Sequence, residues 1–138
     1  MSTSLSLLRE QRRTVLLGMN NARNEISVLQ DKVSRLQEAS NTLETNITHL
    51  RTTKKSIDQL EEDGRRWRGN NKDTYDNKYS LYRDSIQQYL SKSMDAKETI
   101  DSDIRRYEAN QASYAAGLNN LQSSLHSLES QIRAKERE

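Results

Sequence analysis

Cysteine, proline and phenylalanine are absent from this 138-residue chain, and glycine occurs only four times. Without cysteine there is no disulfide, no thiol nucleophile and no thiolate metal site. Without proline nothing forbids long helices, and the glycines become the strongest punctuation in the chain. Apolar residues are also scarce, at 32%, against roughly 45–50% in an ordinary globular domain. A thick core is therefore excluded. What remains is one narrow apolar seam, as in a coiled coil or thin bundle, or else disorder. No apolar run is long enough to span a membrane. The N-terminus, Met1 to Arg9, lacks the basic region and unbroken apolar run of a Sec-type signal peptide. The net charge is only +2, with basic and acidic residues interspersed, which is no footprint for nucleic acid.

Periodicity decides against disorder. Positions 5, 8, 12, 15, 19, 22, 26, 29, 33, 36, 40, 43, 47, 50, 54 and 57 alternate three and four apart, and thirteen of these sixteen are apolar. The exceptions are Arg12, Ser40 and Lys54. A 3.5-residue repeat held this long is a coiled-coil seam, and polar residues within such a seam commonly fix register.

The repeat stops near mid-chain at Asp63-Gly64-Arg65-Arg66-Trp67-Arg68-Gly69-Asn70-Asn71, which holds the sole tryptophan and two of the glycines. Gly64 suits a helix C-terminus and Asn70 or Asn71 an N-cap. Beyond it a second seam reads Tyr75, Tyr79, Tyr82, Ile86, Tyr89, Ser93, Ala96, Ile100, Ile104, Tyr107, Gln111, Tyr114, Leu118, Leu121, Leu125, Leu128 and Ile132. The two successive steps of four at Ala96-Ile100-Ile104 predict a stutter. Folding the chain at Trp67 pairs the seams so that facing residue numbers total 136 or 137, for example Leu50 with Ile86, Ser40 with Ala96, and Met19 with Leu118. The predicted fold is all-α: a single domain, 1–138, forming a long antiparallel two-helix coiled-coil hairpin. Its first helix covers about 4–63, the turn 64–70 and the second helix about 71–135.

This register sets Gly18 level with Gly117, which suggests close helix approach, a bend or a docking notch. It leaves the Ser40, Ser93 and Ala96 level with little side chain to bury, and it sets Tyr82 beside Lys54 for a cation–π contact. Leu7, Leu16 and Leu17 lie off the seam near one end. With Gly18 and Gly117 they are candidates to bind a further helix. Tyr75, Tyr79 and Tyr82 are seam residues near the turn whose edges can also face a partner. His49 and His126 fall far apart in the hairpin and cannot share a site. A two-helix hairpin offers no pocket, and there is no phosphate loop and no Ser/His/Asp set. No enzymatic activity, cofactor or metal is expected.

Trp67-Arg68-Gly69 between two helical arms resembles the turn of the WXG-type, ESAT-like hairpin proteins of type VII secretion. The length and layout are most similar to the small helical accessory partners of LXG toxins in Gram-positive bacteria. That resemblance implies a targeting adaptor that binds the helical N-terminal domain of a larger secreted toxin and assists its export. A second small hairpin protein could join the complex. It implies a hetero-oligomer, with a homodimer as the alternative, and no nucleic acid or membrane insertion. The location implied is cytoplasmic, or co-secreted with the partner. Exported members often carry an aromatic residue with Asp or Glu four positions on, and none of the six tyrosines here has one. Export would then depend on a partner. The rival expectation is a self-associating coiled-coil tether or spacer.

Overall fold

The computed structural model describes the backbone at residues 4–64 and 70–138, and side chains at 4–59 and 77–138. It is an all-α helical hairpin of two helices, α1 (Leu5–Gly64) and α2 (Asn70–Glu136), with no strand among the described residues. Trp67-Arg68-Gly69 and the side chain of Tyr75 lie outside the described residues.

Ser4 caps α1: its Oγ accepts from the Leu7 amide at 3.2 Å and its carbonyl from the Leu8 amide at 3.0 Å. The Leu7 amide is one of the donors that the first turn leaves without a helical partner, and the Leu8 bond is the first of the i→i−4 ladder. Threonines inside the helices (Thr42, Thr45, Thr48, Thr52 and Thr53 among them) donate their hydroxyls to the carbonyl four residues back, at 2.9–3.2 Å. Their polar groups are thereby satisfied without leaving the helix. Arg133 and Lys135 stand in the last turn of α2, where positive charge suits the helix dipole. Among the described residues no helix is long and apolar enough to cross a membrane.

The chain divides into two compact units, residues 1–34 with 104–138, and residues 35–103. In the first, Leu8, Met19, Ala22 and Leu29 of α1 are buried, as are Ile104 and Ile132 of α2. Leu5, Val15, Ile26 and Val33 are half-buried between them. Arg9 pairs with Glu136 at 3.1 Å and Arg12 with Glu129 at 3.7 Å. Both pairs are about half exposed, so each contributes at most about 1 kcal/mol. In the second unit Ser40 and Ile47 of α1 are buried, and so are Tyr79 and Leu90 of α2. The α1 seam is thus the one its repeat predicts, apart from the exposed Arg12.

The α2 seam differs from expectation. Between Tyr79 and Ile100 the buried or half-buried residues are Tyr79, Ser80, Arg83, Ile86, Leu90, Ser93, Lys97 and Ile100, while Tyr82, Tyr89 and Ala96 are exposed; leaving aside Ser80 next to Tyr79, they form one stripe. The three-four alternation is unbroken there, and in the other unit it continues through Ile104, Tyr107, Gln111, Leu118, Leu121, Leu125, Leu128 and Ile132. No stutter is needed. Two helices with the same 3.5-residue repeat stay in phase without local unwinding. Keeping that phase admits Arg83 and Lys97, both half-buried, a position that long basic side chains tolerate because the stem can be covered while the head stays polar. It also brings in Leu90.

The register differs correspondingly. The neighbour of Gly18 is Leu121 rather than Gly117. Ser40 bonds Asp101 rather than facing Ala96, and Lys54 donates to Gln87 at 2.7 Å rather than meeting Tyr82. Each partner lies four or five residues further along α2 than the tyrosine frame places it, about one helical turn. The cation–π contacts occur elsewhere, with Lys32 and Arg106 both over the ring of Tyr107, at 5.4 and 5.2 Å.

Candidate functional site

Two features distinguish this hairpin from a plain apolar zipper. The first is a polar layer in the unit formed by residues 35–103. Ser40 is 2% exposed, and its Oγ donates to Asp101 Oδ1 at 2.6 Å. Lys97 Nζ donates to Asp101 Oδ2 at 2.7 Å and lies 3.9 Å from Glu44. Ser40 and Glu44 are one turn apart on α1, and Lys97 and Asp101 one turn apart on α2. The four groups therefore interlock across the seam. The hydrogen bond that Lys97 donates to Asp101, with the charges of Asp101 and Glu44, outweighs the desolvation that opposes it and raises the Lys97 pKa above the ordinary 10.5. No buried side-chain polar atom among the described residues lacks a hydrogen bond. A layer of this kind works only in one register, because sliding either helix leaves Ser40 and a carboxylate without partners.

The second feature is uncovered apolar and uncharged surface. In the unit formed by residues 1–34 and 104–138, Leu7, Leu16, Leu17 and Val28 of α1 are 45, 41, 60 and 48% exposed. In the same unit a groove of about 520 Å³ runs between the helices, lined by Gly18, Asn21, Ala22 and Glu25 of α1 and by Tyr114 and Gly117 of α2, among others. The two glycines have different surroundings. A Cβ on Gly18 would come within 3.2 Å of Leu121 Cδ1, so close packing inside the hairpin accounts for it. A Cβ on Gly117 would meet nothing within 4 Å. Gly117 thus weakens α2 by about 1 kcal/mol relative to alanine, and no packing demand within the chain explains it.

The unit formed by residues 35–103 has its own exposed set: Leu81, Tyr82, Tyr89 and Met94. Tyr79 is buried at 8% exposure and belongs to the seam. Of the candidates read from sequence, Leu7, Leu16, Leu17, Gly18 and Gly117 share one unit, and Tyr79 and Tyr82 the other. His49 and His126 are both exposed. Among the described residues no group of His, Asp and Glu is placed to hold a metal ion. Sequence reasoning missed Val28, Leu81, Met94 and the Lys97–Asp101 half of the polar layer. The last was legible: carrying the frame of Ile104 backwards without a stutter lands on Ile100, Lys97, Ser93 and Leu90.

Nine large apolar side chains are exposed among the described residues. An all-α hairpin with a register-fixing polar layer and that much uncovered apolar surface belongs to the class of helical proteins built around a seam rather than a globular core. The family model described as YwqH-like matches residues 10–130, and the chain belongs to that family. No curated protein and no solved structure matches it.

Proposed function

We propose that the protein is a non-enzymatic adaptor that binds the helical N-terminal domain of a larger type VII secretion substrate, an LXG-type toxin, and assists its export. The observation that carries this reading is the set of nine large apolar side chains left exposed among the described residues. A hairpin in that state gains stability by packing against further helices. Membership of a family of small helical proteins is consistent with it, as is the resemblance of the Trp67-Arg68-Gly69 tripeptide to a WXG turn. The adaptor works side by side with its partner in the cytoplasm and hands it to the secretion machine. With no aromatic-plus-acid motif on its tyrosines, it relies on that partner for any export of its own.

The test is co-expression with an LXG-type protein from the same genome, beginning with the product of any large open reading frame next to this gene. Recovery of a stable complex containing the toxin's N-terminal helical domain is the expected result. If the chain instead elutes alone, or only with further copies of itself, the adaptor reading is lost and a self-associating spacer takes its place. Trp67→Ala adds a second measurement: the adaptor reading expects weaker complex formation or export, whereas a spacer tolerates the change.

A further inference from the structure

We infer that the groove beside Gly117 is the docking site for one α-helix of the partner, presenting an uncharged stripe of large aliphatic side chains with a basic residue at one end. This inference rests on the adaptor reading and names the surface it uses. Three observations carry it.

The first is charge. The chain as a whole is 30% charged, yet residues 109–128 of α2 contain no Asp, Glu, Lys or Arg over twenty positions, and residues 14–22 of α1 contain none over nine. The approach of Gly18 to Leu121 sets these two runs side by side. The result is an uncharged belt carried by both helices in an otherwise heavily charged protein. An occupant with charges along this belt would bury them unpaired. The exception is Glu25, among the groove-lining residues, which calls for a Lys or Arg at that end of the occupant.

The second is the space around Gly117. Glycine at that position leaves an unfilled volume that the hairpin itself does not use. Small groove-lining residues pair with large incoming ones, because an unfilled void forfeits contacts on both sides. Leu, Ile or Met spaced three, four and seven residues apart on a helix is the matching surface.

The third is what surrounds the groove. Leu17 and Val28 are exposed on α1 beside it, and Tyr114, 41% exposed, lines its α2 side. A docked helix would cover this apolar border together with the belt.

The test uses the full chain and the N-terminal helical domain of the LXG-type protein that co-purifies with it, with affinity measured by calorimetry. Gly117→Arg and Ser113→Arg place a charge in the groove, and Asn46→Arg places the same charge on the exposed face of the other unit. Helical content by circular dichroism identifies variants that keep the fold. The expected result is a loss of binding of tenfold or more for both groove variants and no change for Asn46→Arg. Equal binding by all three overturns the docking site while leaving the adaptor reading intact. Failure of the unaltered chain to bind overturns both. If sedimentation shows the unaltered chain to be a dimer that Gly117→Arg dissociates, the groove belongs to a second copy and the assigned occupant is wrong.

Discussion

Replacing Asp101 with alanine should be among the most damaging single changes in the unit formed by residues 35–103, although the side chain is 30% exposed. The Ser40 hydroxyl, 2% exposed, donates to Asp101 at 2.6 Å, and a hydrogen bond to a charged group contributes about 1.5–3 kcal/mol. Its loss leaves a buried hydroxyl without that partner and leaves Lys97 with only the longer approach to Glu44 at 3.9 Å. Asp101→Ala is therefore expected to destabilise the hairpin by about 2–3 kcal/mol. Ser40→Ala should cost less, about 1–2 kcal/mol, because Asp101 keeps Lys97 and access to water. Once Asp101 is gone, removing the stranded hydroxyl should be nearly neutral. The double variant should then fall short of additivity by about 1–2 kcal/mol. Urea unfolding followed by circular dichroism at the helix band measures all three. Single effects that simply add, or an Asp101→Ala variant as stable as the parent, would show that the polar layer holds nothing in register.

Three further outcomes follow from the same geometry. Leu90→Ala should cost about 2–4 kcal/mol, because Leu90 is 7% exposed. Tyr89→Ala, at a residue 68% exposed, should stay within about 0.5 kcal/mol; the opposite ranking in denaturant titrations would reinstate the tyrosine seam. Gly117→Ala should stabilise by about 0.5–1 kcal/mol, since its Cβ enters open space. Gly18→Ala should gain less or lose, since Leu121 Cδ1 stands 3.2 Å away; thermal melts compare the two. Lys97 has its pKa raised by its hydrogen bond to Asp101, so the folded state favours the protonated amine. Its contribution should be intact below the ordinary pKa of 10.5 and decline as pH rises through the higher folded-state value. Stability measured from neutral to strongly alkaline pH should show that decline in the parent chain and a smaller one in Lys97→Met.

Much of the hairpin is legible in the residues alone, and the α1 seam shows why. A 3.5-residue repeat sustained over sixteen positions leaves one apolar face, and all of those residues except Arg12 are buried or half-buried in the structure. The α2 seam was harder because two frames compete there. Tyr82, Tyr89 and Ala96 make the more apolar frame, and Arg83, Leu90 and Lys97 the more regular one. Hydrophobicity by itself favours the tyrosines. Phase matching with α1 favours the regular frame, and a long basic side chain at a seam edge can bury its stem while wetting its head. The candidate surface was partly legible as well. Leu7, Leu16 and Leu17 fall off the repeat, so their exposure follows from periodicity, whereas the separate surroundings of Gly18 and Gly117 do not.

The sequence by itself determined the class of fold and the face that α1 buries. It could do so because composition, absence of proline and a fixed repeat are properties of the chain and need no partner surface. Only the tertiary structure decided which residues of α2 meet that face. The choice depends on how two helices interdigitate, and a slide of one turn exchanges Ala96 for Asp101 opposite Ser40. A buried hydroxyl stabilises the register that gives it a carboxylate, and that pairing exists only once both helices are in place.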